Sequence, residues 1–209
     1  MINTIRLRAM LGWLGMLLPW IVLFLSIGYN YGFPDSISAT YYVSTCITPF
    51  MIILGSAGLL LISYKGYDLQ DDIICTLAGI AGLFICIFPC NNGDFLISES
   101  VGTFALPATT SGIIHNISAV IFFGLLAYNS LFLFTKSVGE MTPSKRKRNG
   151  IFRICGVGML ISLACIIPVS LLNIHGGTWI VEAAALIFFG ISWLTKSNIY
   201  PWLFAEKKG

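Results

Sequence analysis

The chain has 209 residues, of which 56% are hydrophobic and only 10% are charged, with a formal net charge of +3 at pH 7. A soluble domain usually carries about a quarter charged residues. This composition therefore excludes an ordinary soluble domain and predicts an integral membrane protein, with one transmembrane domain over residues 1–209. The small net charge does not identify a partner, because the positions of the charged residues along the chain are more informative than their sum.

Six apolar runs follow one another along the chain, each close to the roughly 20 residues that a membrane-spanning helix needs. They lie near residues 9–28, 44–64, 72–90, 112–134, 151–172 and 179–194. Because backbone polar groups must be hydrogen-bonded within lipid, helices are the expected structure. We therefore predict an all-α bundle of six transmembrane helices. The first run is expected to be retained, since no small-residue cleavage site follows it.

The basic residues predict the orientation of this bundle. In a six-span arrangement every Lys and Arg falls on the same side: Arg6, Arg8, Lys65, Lys136, Lys145, Arg146, Lys147, Arg148, Arg153, Lys196, Lys207 and Lys208. The positive-inside rule then places both termini in the cytoplasm. The string KRKR (145–148) is interpreted as an anchor that meets anionic headgroups, and no nucleic-acid partner is expected.

The stretch FPDSISATYYVST, residues 33–45, carries an unusual number of hydroxyl groups between the first two spans. Asp35 or Ser36 is expected to cap the second helix. If that helix begins there, Ser38, Tyr41 and Tyr42 share one face. This face would form one wall of a polar pocket at the outer end of the bundle. The candidate ligand-binding residues are Asp35, Ser38, Tyr41, Tyr42, His115 and Glu182.

His115 and Glu182 each lie about one turn inside a predicted span, and an ionisable group there is a functional hypothesis by default. Three interpretations are open. With His175 and Asp35, the two residues would bind a metal such as zinc, which accepts nitrogen and carboxylate ligands. They would otherwise bind a ligand headgroup or relay protons. In the third interpretation they sit at the headgroup level without forming a site.

Two routes to catalysis follow from these residues. A zinc ion held by His115, His175 and Glu182 would activate a water for lipid hydrolysis. Alternatively, Ser36 or Ser38 would act as a nucleophile with His115 as its base. Because neither set has the spacing of a specific motif, whether the protein is an enzyme is left open.

Two of the six cysteines, Cys46 and Cys90, fall near the outer ends of their predicted spans. Disulfides persist on the outer side of a plasma membrane. The sequence therefore allows a disulfide between Cys46 and Cys90, while apolar packing is the other role expected of these small side chains.

Several strings in the chain resemble a family of small bacterial six-helix inner-membrane proteins of unknown function. They are SISATYY, YKGYD, IHNISAVIFFGLLAYNSLFLFTKS and GISWLTKS, in order from the end of the first span to the end of the sixth. The resemblance implies the six-helix fold and a bacterial inner membrane, but no activity. A remoter likeness is to ceramidase-like membrane hydrolases, which join Ser, Asp and three His around zinc; this chain has only two histidines.

We therefore expect a multi-pass inner-membrane protein whose outward-facing polar pocket binds a lipid or small ligand. The alternatives are a metal-dependent intramembrane lipid hydrolase that uses His115, His175 and Glu182, and a small transporter or channel. Membrane lipids are the expected partners, and whether the chain forms a homo-oligomer is left open.

Overall fold

The structure is a computed structural model that describes residues 4–91, 100–137 and 140–199. The helices of this described part are α1 (Thr4–Gly28), α2 (Ile47–Ile62), α3 (Leu69–Ile87), α4 (Ala108–Tyr128), α5 (Pro143–Leu171) and α6 (Gly177–Ser197). A 3₁₀ helix, Ser38–Tyr42, precedes α2, and a π-helical turn, Asn129–Leu133, continues α4. Strands β1 (Ser100–Val101) and β2 (Leu106–Pro107) form a small antiparallel hairpin. The predicted all-α class is confirmed.

Five helices of the described chain are long and apolar enough to cross a membrane: α1, α3, α4 with its π-helical turn, α5 and α6. The remaining helix, α2, is apolar but has only 16 residues. The predicted span over residues 44–64 is therefore longer than the helix that forms there. This set of helices is that of a helical membrane protein.

Capping residues decide where two of the helices begin. The side chain of Asp68 accepts a hydrogen bond from the Asp71 N–H at 3.0 Å, so α3 starts directly after it. Thr142 accepts from the Lys145 N–H at 3.2 Å, and Pro143 occupies the first turn of α5. Both arrangements are favourable at helix N-termini. As a result α5 begins before the apolar run near residue 151, and the KRKR string is helical.

The six helices form a ring in chain order, and α6 closes the ring against α1. Large aromatic side chains fill its interior, among them Phe50, Phe122, Phe189 and Trp193, each at most 1% exposed. We call the end of the bundle where α1 begins and α6 ends the basic end. There Arg8 donates to the Tyr64 hydroxyl at 2.9 Å. The opposite end is called the site end.

An exposed ion pair joins α3 to the segment after α4 at the basic end. Lys136 Nζ lies 2.8 Å from Asp68 Oδ2. The hydrogen bond from Lys136 holds the pKa of the Asp68 carboxyl below its usual range. Because an exposed ion pair contributes little stability, this contact mainly positions the ends of the two elements.

Glycines allow close approach of neighbouring helices, and one contact gives a stability test. A Cβ at Gly79 of α3 would lie 2.5 Å from the carbonyl oxygen of Gly58 on α2, whereas a Cβ at Gly55 would meet nothing within 4 Å. Overpacking of this kind costs about 1–3 kcal/mol. We expect Gly79→Ala to lower the melting temperature in detergent by several degrees and Gly55→Ala to leave it unchanged or higher. Equal melting temperatures would contradict the close α2–α3 contact.

Candidate functional site

Three polar side chains from distant parts of the sequence converge at the site end. Ser38 lies on the 3₁₀ helix, His115 on α4 and Glu182 on α6. The Oγ atom of Ser38 is 3.0 Å from His115 Nε2 and 3.3 Å from Glu182 Oε1. The serine hydroxyl therefore stands between an imidazole and a carboxyl group. We call these three residues the polar triad.

The 3₁₀ helix brings Ser38 into this position. Ser36 Oγ accepts the Ala39 N–H at 2.8 Å, and the Thr40 hydroxyl donates to the Ile37 carbonyl at 2.6 Å. Such local side-chain bonds compete with a regular α-helix. The expectation that Asp35 or Ser36 starts the second α-helix is therefore wrong, because Ser36 bonds to the first turn of the 3₁₀ helix and α2 begins only at Ile47.

Both predicted pocket tyrosines lie within the 3₁₀ helix and make different contacts. The Tyr42 hydroxyl donates to the Cys90 carbonyl at 2.6 Å, which ties the 3₁₀ helix to the chain that follows α3. The Tyr41 ring packs edge-on against Tyr42, with 5.3 Å between the ring centroids. Tyr42 thus anchors the 3₁₀ helix that carries Ser38, and Tyr41 packs against Tyr42. Neither tyrosine is part of the polar triad.

His115 is 3% exposed and its orientation is set by a backbone carbonyl. Its Nδ1 atom lies 2.8 Å from the oxygen of Phe88, the residue at which α3 ends. A carbonyl oxygen only accepts, so Nδ1 carries a proton. In the neutral ring Nε2 then has a free lone pair, which faces the Ser38 hydroxyl. This tautomer makes His115 an acceptor for the proton of Ser38.

Glu182 joins α6 to the 3₁₀ helix and completes a chain of hydrogen bonds. Its Oε2 atom accepts the Ile37 N–H at 2.5 Å, while Oε1 faces Ser38 Oγ. The serine has one hydroxyl proton, so it donates either to His115 or to Glu182. The two arrangements contain the same number of protons and differ in the position of one of them. That proton is on Glu182 in the first arrangement and on His115 in the second. The polar triad therefore has the geometry to pass a proton between α6 and α4.

The third candidate zinc ligand, His175, lies apart from the polar triad. Its Nδ1 atom is 2.6 Å from Asp35 Oδ1, and both side chains are exposed. Gly176, with a φ of +67°, turns the chain between His175 and the start of α6. Asp35 and His175 therefore pair with each other at the surface instead of joining His115 and Glu182.

The described residues contain no group of three or more His, Cys, Asp or Glu side chains that could hold a metal ion. Three further acidic residues, Asp94, Glu99 and Glu206, lie outside the described part of the chain. Among the described residues, the predicted zinc ligands are thus divided between two places. His115 and Glu182 belong to the polar triad, whereas His175 and Asp35 form a pair at the surface, here called the surface pair.

Cys46 and Cys90 are both free thiols in the structure. Cys46 is buried, and its Sγ donates to the Val22 carbonyl at 3.4 Å, whereas the backbone carbonyl of Cys90 accepts from Tyr42. The structure therefore does not contain the Cys46–Cys90 disulfide that the sequence allows. Cys46 packs instead as a small buried side chain between α1 and α2.

The polar triad borders a partly open cavity of about 690 Å³, bounded by α4, α5, α6 and the 3₁₀ helix. Its polar lining includes Asp35, Ser36 and Asn91 beside the triad. Apolar side chains of α5 form the opposite wall: Leu160, Leu163, Ala164, Ile166 and Ile167. The sequence does not reveal this wall, because a membrane helix has the same apolar residue types on a face that meets lipid and on a face that lines a cavity.

The cavity is confined to one half of the α4–α5 interface. Towards the basic end the two helices are in close contact, since a Cβ at Gly156 of α5 would lie 3.2 Å from the Ala127 carbonyl oxygen of α4. Towards the site end both helices contribute lining residues, Asn116 and Val120 from α4 and Leu160 and Ile167 from α5. The volume falls within the range of about 300–1,000 Å³ typical of small-molecule sites.

Comparison of the chain with known protein families, curated proteins and solved structures gives no match.

Proposed function

We propose that the protein binds an amphiphile, a lipid or lipid-like small molecule, in the cavity between α4 and α5. The observation that carries this proposal is the division of the cavity lining, with the polar triad on one side and an apolar wall from α5 on the other. An amphiphile would direct its headgroup to Ser38, His115 and Glu182 and lay its chain along α5. The outer face of α5, including Ile154 and Ile161, is exposed, as a helix that meets lipid would be.

The proposed topology has six spans with both termini in the cytoplasm of a bacterial inner membrane. At 1.5 Å per residue, the 16 residues of α2 cover about 24 Å, less than the roughly 30 Å of a hydrocarbon core. The 3₁₀ helix extends this path inside the bundle. Irregular backbone is tolerated at such depth where protein buries it or where it lines a cavity, and Ser38 does line the cavity.

Cysteine labelling tests this orientation. In a cysteine-free background, His175→Cys is expected to react with a membrane-impermeant maleimide in intact spheroplasts, because the segment between α5 and α6 would face outward. Lys147→Cys, an exposed position at the basic end, is expected to react only after lysis. The reverse labelling pattern would contradict the proposed topology.

The charges around the cavity favour a particular kind of headgroup. Asp35 and Glu182 supply carboxyl oxygens, and none of the described lining residues is Lys or Arg. An anionic headgroup would therefore lie near the Asp35 carboxyl group and would find no Lys or Arg in the described lining to neutralise it. Headgroups that carry O–H or N–H donors, either uncharged or cationic, complement this lining, since a carboxylate only accepts hydrogen bonds.

Titration of the purified protein in detergent tests the proposal. Monolauroylglycerol has the expected hydroxyl headgroup, and lauryl phosphate has the same chain length with an anionic headgroup. We expect the glyceride to bind and the phosphate to bind at least about tenfold more weakly, because like-charge contacts cost several kcal/mol when poorly screened. Absence of glyceride binding, or equal affinity for both probes, would overturn the proposal.

Hydrolysis of an acyl amphiphile is a second candidate function, favoured by the 3.0 Å contact between Ser38 Oγ and His115 Nε2. In this reaction Nε2 takes the hydroxyl proton while Oγ attacks the acyl carbonyl carbon. The imidazolium then protonates the leaving alcohol, and water releases the acyl group from Ser38. The Phe88 carbonyl orients the imidazole as the third group of such a constellation does.

Removal of the serine hydroxyl distinguishes catalysis from binding. If Ser38 is the nucleophile, Ser38→Ala is expected to reduce hydrolysis of a fluorogenic lauroyl ester by several orders of magnitude, since removing the nucleophile of a Ser–His pair removes most of the acceleration. Ser170→Ala, which removes another hydroxyl from the cavity lining, should leave the rate unchanged. Equal loss in both variants, or full activity in Ser38→Ala, would contradict the assignment.

A further inference from the structure

The KRKR string at the start of α5 is divided by the helix into two faces. Lys145 and Arg148 are half-buried, whereas Arg146 and Lys147 are exposed. Residues three apart lie on one side of an α-helix. The first pair therefore points towards the bundle and is separate from the exposed charges that anchor a helix at the membrane surface.

Two aromatic residues connect the inward-facing cations from three helices. Lys196 Nζ of α6 lies 4.6 Å from the centroid of the Tyr67 ring and 4.7 Å from that of Phe134. The guanidinium carbon of Arg8, on α1, is 5.9 Å from the same Tyr67 centroid. Lys145 of α5 donates to the Phe134 carbonyl at 3.0 Å. Arg8 and Lys196 thus both lie over the Tyr67 ring, and Lys196 and Lys145 both contact Phe134.

Hydrogen-bond donors in this cluster remain without acceptors. Arg148 acts electrostatically on Lys196 together with Arg8 and Lys145. The Nε atom of Arg148 is buried and has no hydrogen-bond partner among the described residues, and the same holds for Nε1 of Trp193, whose ring is 5.1 Å from that of Phe134. A buried donor without an acceptor is costly.

The carboxyl group that acts on this cluster also has partners outside it. Asp71, the acidic residue that acts on Lys196, accepts the Tyr67 N–H at 2.8 Å and lies 3.6 Å from Lys136. Across the described ranges, the Lys and Arg ion pairs are those of Lys65 and Lys136. Among the described residues, the carboxyl group of Asp71 is thus the counter-charge that acts on Lys196, and it is shared with Lys136. A cluster of four basic side chains with one shared carboxyl group would be stabilised by an added anion.

We propose that Arg8, Lys145, Arg148 and Lys196 form a binding site for a phosphate group at the basic end of the bundle. Guanidinium and ammonium groups are the donors that bind phosphate oxygens in proteins. A basic pocket between transmembrane helices is also a recognised arrangement for anionic lipid headgroups. The site is distinct from the cavity at the site end, which is lined by carboxyl groups and selects the opposite charge.

Calorimetric titration of the full chain in neutral detergent tests this site. The probes are dioctanoyl phosphatidic acid and inorganic phosphate, at matched ionic strength. We expect phosphatidic acid to bind the wild type, and Lys196→Gln and Lys145→Gln each to raise its Kd about fivefold, since one basic residue contributes about 1 kcal/mol near an anionic surface. Lys196→Arg keeps the charge and should stay within about twofold of wild type on the same basis.

Lys147→Gln is the matched control, because it removes an exposed cation from the same string. Unchanged affinity in this variant supports a built site. Equal weakening in Lys147→Gln and Lys196→Gln, or no binding to the wild type, would overturn the proposal. If inorganic phosphate competes with phosphatidic acid for the site, a soluble phosphate compound is its ligand; if it does not compete, a lipid headgroup is. Should Lys196→Gln fail to fold, Lys145→Gln carries the comparison.

Discussion

Replacing Glu182 by Gln is expected to weaken the binding of dodecylammonium about tenfold, while the affinity for monolauroylglycerol changes by less than about threefold. The carboxylate of Glu182 faces the cavity next to Ser38 and receives the Ile37 N–H. A hydrogen bond to a charged group contributes about 1.5–3 kcal/mol, whereas one between neutral groups contributes about 1 kcal/mol. The amide of Gln still accepts the Ile37 N–H, so the variant removes the charge and keeps the position of the side chain. Calorimetric titration of both probes measures the difference.

Asp35→Asn is the matched control for this experiment. Asp35 also lines the cavity, but its carboxylate is exposed and lies against His175. Solvent screens an exposed charge, so we expect a much smaller loss of dodecylammonium affinity. If the two variants weaken binding equally, the ammonium headgroup does not bind preferentially at Glu182. The proposed contact between Glu182 and the headgroup is then wrong.

Filling the apolar wall of the cavity should have the second large effect. Ala164 of α5 lines the cavity opposite the polar triad, and Ala164→Phe places a ring where the chain of the amphiphile would lie. We expect at least a tenfold loss of monolauroylglycerol affinity, because a buried chain contributes about 0.8 kcal/mol per methylene and the ring would displace several. The melting temperature should change little, since Ala164 is exposed on the surface of α5.

Ile161→Phe provides the comparison for this substitution. Ile161 is 58% exposed on the same helix and is not one of the lining residues. A phenylalanine there adds a similar ring on the lipid-facing side and should leave the affinity unchanged. Loss of binding in both variants would indicate a general disturbance of α5, and retained binding in Ala164→Phe would place the ligand outside this cavity.

The sequence predicted the helices well because apolar length alone decides them. Each apolar run contains a helix, and the departures at the ends come from capping residues such as Asp68 and Thr142. The two ionisable residues singled out by their depth, His115 and Glu182, do lie near one another through Ser38. The physical reason is general, since a polar group inside a span needs a partner.

What the sequence could not predict depends on distances between segments and on backbone conformation. The 3₁₀ helix over Ser38–Tyr42 replaced the expected α-helix because local hydroxyl bonds decide its form. The pairing of His175 with Asp35 depends on a turn at Gly176 with positive φ. The apolar residues of the α5 wall resemble, in sequence, residues that face lipid. Each of these features requires knowledge of which elements face each other.

Photo-crosslinking with a monolauroylglycerol that carries a diazirine on its acyl chain tests the proposed binding site most directly. The label, mapped by peptide mass spectrometry, is expected on residues 160–167 of α5, which include the apolar wall of the cavity. An excess of unlabelled glyceride and the Ala164→Phe substitution should both suppress it. Labelling spread evenly over exposed lipid-facing residues such as Phe24 of α1 and Ile52 of α2, with no effect of either treatment, would show that the cavity does not bind the amphiphile.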